Sequence, residues 1–263
     1  MRITVLGKSP SWQDAGGACS GYLVETDGCC VLLDCGSGVF GKLRTHRDYC
    51  EVDAVVISHL HADHILDLVP YASALTYAPR QQPVPVAGHP GTDNPARPRL
   101  LAPAGAAEAL SRVCTGSGMG ERHVEDAFAL EEYAPGDSFA LGSMRVRFRS
   151  VPHFLPTHAV EIREGERRFT FSADSSPSDE LCDFARETHL LLIEATLPRP
   201  EREGPRGHLT PGEAGDHGRR AGARRLVLTH FSDEMDAEWA RHEAEQTFGG
   251  PVEVAREGAV YEL

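Results

Sequence analysis

Short apolar runs punctuated by turn residues dominate this chain, and most are too short for helices and rich in β-branched residues. Residues 2–6, 19–26 and 29–35 read as strands, with Asp27-Gly28 favouring a hairpin between the last two. A short helix is predicted over 38–47, then a strand over 52–57. The next helix, near 65–78, places Ile65, Leu68, Val69, Ala72 and Leu75 on one face. Within 99–113 the pattern predicts a short strand and then an alanine-rich helix that starts after Pro103. The second half repeats the alternation: strands near 137–152, 158–164 and 167–173, then a helix over 178–186. A strand at 189–194, a helix at 211–222, a strand at 225–229, a helix at 234–247 and a terminal hairpin complete it. Two mixed β-sheets facing each other, with helices outside, bury both sheets, so the class is α/β (α+β). No linker, tail or repeat divides residues 1–263, which read as a single domain; the irregular stretch 88–98 reads as a loop or lid.

One strand leads into the densest cluster of chemistry. Val52–Ile57 runs directly into Ser58-His59-Leu60-His61-Ala62-Asp63-His64, which packs three imidazoles and a carboxylate into the span His59–His64. These donor types suit borderline divalent metals, zinc above all. Four donors this close fit two neighbouring ions better than one tetrahedral ion, and each ion then needs donors from elsewhere. Candidates follow in order: His153 after the run 144–152, Asp174 after 168–173, and His230 after 225–229. Each sits at the C-terminal end of an apolar strand, where loops emerge and sites are built.

With these features the chain resembles the metallo-β-lactamase-fold hydrolases over almost its whole length. The resemblance rests on the segments Met1–Gly7, Ser20–Val24 and Val31–Gly38, the His59–His64 motif, Phe171–Ser176, Glu194–Thr196, His208–Thr210 and Leu228–His230. Within that superfamily it is most similar to the branch of ribonuclease Z and small bacterial phosphodiesterases, some of which act on cyclic nucleotides. It implies a four-layer αβ/βα sandwich with a metal site along one edge. One ion is then assigned to His59, His61 and His153, a second to Asp63, His64 and His230, and Asp174 bridges them. The implied cofactor is two divalent ions, with zinc first and manganese or iron as alternatives. A bridging hydroxide would balance their charge and serve as the nucleophile on phosphorus. Asp34 matches a family aspartate that accepts a hydrogen bond from a liganding histidine, although a turn or cap role also suits it. His208, in Gly207-His-Leu-Thr-Pro211, matches a residue that faces the scissile phosphate and either neutralises charge or protonates the leaving oxygen. Asp63 and His208 are thus the candidate catalytic groups. Thr210, Pro211 and Glu213 also form a helix-start signature.

The remaining composition narrows the substrate. With 39 acidic and 26 basic residues the net charge is −13, which repels polyanions and disfavours a grip on extended nucleic acid. Ribonuclease Z trimming of a tRNA precursor is the runner-up reading; against it stand this charge and the presence of only two lysines, Lys8 and Lys42. A lactonase or thioesterase would carry a Pro-Gly-His-Thr-type segment where this chain has Val151-Pro-His-Phe-Leu-Pro156. A metal-stabilised binding protein without turnover is opposed by the complete donor set. The reading is therefore a phosphodiesterase on a small nucleotide-type substrate. Lys8, Trp12 and Phe154 lie in loops expected to approach the site; Trp12 suits either stacking on a base or closing the core. His46, His89, His123, His158, His189, His217 and His242 carry no matched role, although His158 is close enough to line the pocket. Seven cysteines without a Cys-x-x-Cys pair, no signal peptide and no apolar span suggest a cytoplasmic protein with reduced thiols, away from membranes. A homodimer through the helix near 65–78 is implied by resemblance alone.

Overall fold

The computed structural model describes residues 1–201 and 203–263. Its first sheet is built from β1 (Arg2–Gly7), β2 (Gly21–Thr26), β3 (Cys29–Leu33), β4 (Ala54–Val56), β5 (Arg99–Pro103) and β6 (Ala129–Tyr133), lying side by side in that order. The second holds β7 (Ser138–Leu141), β8 (Met144–Val151), β9 (Thr157–Glu164), β10 (Arg167–Phe171), β11 (Leu190–Glu194), β12 (Leu226–Thr229) and β13 (Val252–Val254), again in order. The last strand, β14 (Val260–Glu262), returns to the first sheet beside β1, so both sheets have seven strands. The central strands β3 and β11 are buried at every position, as expected for strands covered on both faces.

Three apolar clusters make the layers. Ile3, Tyr22, Val31 and Val56 of the first sheet meet Phe148, Ile162, Phe171 and Leu192 of the second between the sheets. The outer face of the first sheet is covered by α1 (Val39–His46), α2 (Ala62–Ile65), α3 (Leu68–Tyr77), α4 (Ala106–Gly116) and α5 (His123–Ala127). The outer face of the second is covered by α6 (Asp179–Phe184), α7 (Pro211–Ala221) and α8 (Ala237–Phe248). This is the predicted four-layer sandwich.

Differences from the sequence reading have local causes. The run 65–78 breaks at Leu66-Asp67 because Asp67 turns its carboxylate to the Phe40 amide (2.8 Å) and its own amide to the Cys35 carbonyl (3.0 Å). The run 137–152 folds back at Gly142 (φ 54°), giving two strands. The terminal hairpin does not form: β13 pairs in parallel with β12, and β14 pairs antiparallel with β1. Each sheet offered an unpaired edge there, and the chain adds one strand to each by crossing between them. Residues 88–98 pack toward Gln81, Gln82 and Glu125.

Strand direction positions the site. In the second sheet β10, β11 and β12 are mutually parallel, and β8 runs the same way because β9 is antiparallel to both β8 and β10. In the first sheet β3 and β4 are parallel. The residues that follow these strands therefore gather at one edge of the sandwich. Among the described residues, no helix is long and apolar enough to cross a membrane.

Candidate metal centre

All seven sequence-predicted donors meet at that edge. The loop after β4 ends at α2, whose first turn carries Asp63 and His64, while His61 precedes it in extended conformation. The loop after β3 lies against this turn so closely that a Cβ on Gly36 would sit 1.8 Å from the Asp63 carbonyl oxygen. His153, Asp174 and His230 arrive from the ends of β8, β10 and β12. Backbone strain accompanies them: Asp34, Ala173 and His230 all adopt left-handed φ, at 58°, 54° and 54°. Such conformations cost non-glycine residues free energy and tend to sit where a site demands a particular side-chain direction.

The donors form two groups that share Asp174. In the first, His61 Nδ1 lies 3.1 Å from both His59 Nε2 and His153 Nε2, and Asp174 Oδ2 lies 3.6 and 3.8 Å from those two Nε2 atoms. In the second, His230 Nε2 is 3.2 Å from Asp63 Oδ2 and 3.4 Å from Asp174 Oδ2. His64 Nε2 completes it, 3.5 Å from both Asp63 Oδ2 and Asp174 Oδ1. A tetrahedral zinc with bonds near 2.0–2.1 Å has donor–donor edges of about 3.3 Å, close to the 3.1–3.8 Å separations given above. Two atoms at the centre, His64 Nε2 and Asp174 Oδ1, are buried without a hydrogen-bond partner. Buried polar atoms are rarely left so, and a cation between them resolves both. The donor set is compatible with metal binding.

Four of the five imidazoles, all but His61, are fastened from behind. His64 donates from Nδ1 to Asp34 Oδ2 at 2.7 Å. Asp34 is fully buried and also accepts from the Ser58 amide (2.7 Å) and hydroxyl (2.8 Å); that hydroxyl lies 3.0 Å from His59 Nδ1. His153 donates from Nδ1 to the Gly207 carbonyl at 2.7 Å, and His230 Nδ1 lies 2.8 Å from the Thr196 hydroxyl. These contacts fix the tautomers and leave the other nitrogen of each ring toward the cluster centre.

The charges follow the same plan. Burial depresses the His59 and His61 imidazoles, and neighbouring histidines press them further down, which keeps them neutral. Burial would raise the Asp174 carboxyl, but His230, His64 and His59 hold it well below the usual range. Burial also opposes a charge on His64, yet Asp174 and Asp34 push its pKa well above the ordinary value. Three buried carboxylates, Asp34, Asp63 and Asp174, therefore favour positive charge at the centre, as a proton or as a metal ion.

A cleft of about 350 Å³ opens onto the donors, with Phe154 and His208 among its walls. His208 donates from Nδ1 to Glu194 Oε1 at 3.0 Å. Burial works against a charged His208, but this hydrogen bond and the Glu194 charge raise its pKa to about 9. Glu194 is fully buried and anchored by the amides of Ser175 (2.8 Å) and Leu209 (3.1 Å) and by the Thr196 hydroxyl (2.7 Å). The predicted helix start is present: Thr210 and Glu213 form a capping box with Pro211 in the first turn of α7, which holds the end of the His208 loop. Glu194, Ser58 and Thr196 were not singled out from sequence as parts of the site. The signal for Glu194 was available, since it closes an apolar strand just as the other donors do.

Other histidines fall elsewhere. His158 is buried edge-on to Tyr133 (5.2 Å) and is not among the cleft walls. Lys8 is occupied by Asp14 and the Phe231 carbonyl, Phe154 is half-exposed over the cleft, and Trp12 is half-exposed beside it. Of the seven thiols, six are buried and Cys50 is partly so; none joins a donor group among the described residues.

Two facing sheets with this cluster at their edge define a metallo-hydrolase of the β-lactamase fold. The chain belongs to the β-lactamase superfamily: the model of the family described as "Beta-lactamase superfamily domain" matches residues 30–231. It is 29% identical to the probable metallo-hydrolase YhfI of Bacillus subtilis, over 100% of both chains. It is 27% identical to a ribonuclease Z of Myxococcus xanthus, over 100% of this chain and 98% of the relative. The crystal structure of YhfI superposes with a TM-score of 0.84 at 27% identity, covering 99% of both chains. A diphosphatase of the PhnP family shares the fold, with a TM-score of 0.69 at 18% identity and coverage of 99% and 97%. The resemblance read from the motifs is thus upheld.

Proposed function

We propose that this protein is a phosphodiesterase acting on a small nucleotide-type substrate, with two divalent ions, zinc foremost, held by the two donor groups. The observation that carries this reading is His208. It stands beside the metal donors, held from behind by buried Glu194, and its Nε2 makes no hydrogen bond among the described residues. Bound ions supply Lewis acidity, activating a water and drawing charge from the phosphoryl oxygens. The protein's own part is orientation and proton supply. Asp34, Ser58, Thr196 and the Gly207 carbonyl set the ring directions, and Asp174 contributes an oxygen to each group. Glu194 pulls His208 toward its protonated form, in which it would protonate the leaving oxygen or neutralise charge on the phosphate.

The cleft volume supports a small substrate, since about 350 Å³ lies near the lower end of the roughly 300–1,000 Å³ usual for small-molecule sites. Ribonuclease Z activity is the second reading. It draws on the 27% identity to the Myxococcus xanthus enzyme and is opposed by the net charge of −13.

The test is His208→Ala assayed on phosphodiesters that differ in leaving group. Proton donation predicts a loss of about 10²–10⁴-fold in kcat for an alkoxide leaving group and a smaller loss for p-nitrophenolate, with both ions retained. An equal loss on both substrates assigns His208 to charge neutralisation. Loss of an ion makes it a ligand, and unchanged turnover removes the main support for the reading.

A further inference from the structure

A second hollow, of about 250 Å³, opens beside the metal cleft and shares Pro10 and Thr196 with it. Its walls are apolar: Trp12, Pro198 and Met235 join Pro10. Trp12 is 51% exposed, which leaves a large flat ring open to a ligand. The loop that carries it is nevertheless fastened on both sides. Lys8 forms an ion pair with Asp14 and donates to the Phe231 carbonyl at 2.9 Å. Asp14 accepts from the Asp233 amide at 2.9 Å and donates its own amide to Ser9 Oγ at 3.1 Å. Both partner residues, Phe231 and Asp233, lie in the segment just after the donor His230. The loop holding the indole is thereby tied to the metal centre, and its ordering cost is met before any ligand arrives.

We infer that this hollow is the subsite for the nucleobase of a nucleotide phosphodiester, stacked on Trp12 while the phosphodiester lies in the neighbouring metal cleft. The inference rests on the phosphodiesterase reading above and adds which residues select the substrate. A flat ring fits because the walls are apolar and one is a half-exposed aromatic face, and stacking serves any base. A second phosphate does not fit. Among the described residues, the one ionisable side chain lining the hollow is Glu234, whose carboxylate repels phosphate and accepts from ring N–H or amino groups. Phe154, the other half-exposed aromatic ring at the cleft, is already engaged. It packs against His153 (centroids 4.9 Å) and His208 (6.0 Å) and leaves no room for a Cβ on Gly207.

Two esters with the same leaving group test this: p-nitrophenyl thymidine 5′-monophosphate, which carries a base, and methyl p-nitrophenyl phosphate, which does not. For Trp12→Ala the ratio of kcat/KM for the nucleotide over the methyl ester is expected to drop about 5- to 100-fold, mainly through KM. Trp12→Phe should keep most of the ratio. An unchanged ratio in Trp12→Ala, with both esters still hydrolysed, overturns the subsite and leaves the phosphodiesterase reading standing. If the wild-type metal-loaded protein hydrolyses neither ester, both fall. A binding measurement guards against a misfolded variant. In a Trp239→Phe background, where Trp12 is the sole indole, thymidine 5′-monophosphate should quench its emission and inorganic phosphate should not. No response to the nucleotide, or an equal response to phosphate, overturns the inference.

Discussion

Asp34→Asn isolates the part the protein plays in holding metal. Asp34 adopts φ 58°, a conformation asparagine tolerates well, and the exchange changes volume little. Its chemistry changes sharply. One Asp34 oxygen now accepts from both His64 Nδ1 (2.7 Å) and the Ser58 hydroxyl (2.8 Å). If the amide NH₂ takes that place, donors face donors in a site with no exposure to solvent. If the amide is flipped, the clash moves to the Ser58 amide, which donates to the other oxygen at 2.7 Å. A buried hydrogen bond to a charged group is worth about 1.5–3 kcal/mol, which corresponds to roughly 10- to 100-fold in metal affinity. The loss should be uneven. His64 belongs to the group with Asp63 and His230, whereas His59 of the other group is reached only through the Ser58 hydroxyl, 3.0 Å away. Competition titration against a chromogenic chelator, with ions counted by mass spectrometry, is therefore expected to show one weakened and one nearly normal ion. Two ions of wild-type affinity, within about twofold, would refute the role given to Asp34.

Asp174→Ala removes the carboxylate shared by both groups and should abolish turnover and lose at least one ion; near wild-type activity would mean that another residue bridges. Gly207→Ala places a Cβ 2.1 Å from the Phe154 ring, so thermal unfolding should show a loss of about 1–3 kcal/mol that Phe154→Ala relieves in the double variant. His217 is buried, accepts from the Ser178 amide (2.9 Å) and donates to the Glu213 carbonyl (2.7 Å); burial first of all lowers its pKa below 6.5. With the folded pKa depressed, the unfolded chain binds more protons, so this stabilisation is full above pH 6.5 and is lost as pH falls toward the folded value. Melting temperature measured from pH 7 downward should fall less steeply in His217→Gln than in the wild type; identical slopes would count against the assignment.

The donors were legible because each closes an apolar strand and because chain order matches spatial convergence: the relevant strands of each sheet run in parallel. The helix start at Thr210–Glu213 was legible for a local reason too, since its cap is written in four consecutive residues. What sequence hid depends on distant partners. Ala129–Tyr133 lacks clean alternation and is a strand because β5 offers an edge to it. Val252–Val254 and Val260–Glu262 are three residues each, too short to signal which sheet they join. Trp12 read equally as core or as surface, because its exposure is set by the Lys8–Asp14 fastening to the segment after His230. Glu194 reads as a strand-end acid until the fold brings His208 against it.

The most direct measurement is a turnover screen of the metal-loaded protein on bis(p-nitrophenyl) phosphate, 2′,3′- and 3′,5′-cyclic nucleotides, a lactone panel and a precursor tRNA. Hydrolysis of the small phosphodiesters is expected, lost on chelation and restored by adding metal back, with little action on lactones or on the tRNA. Preference for a lactone, or cleavage of the tRNA with small phosphodiesters left intact, would contradict the proposed function while leaving the fold and the donor cluster as they stand.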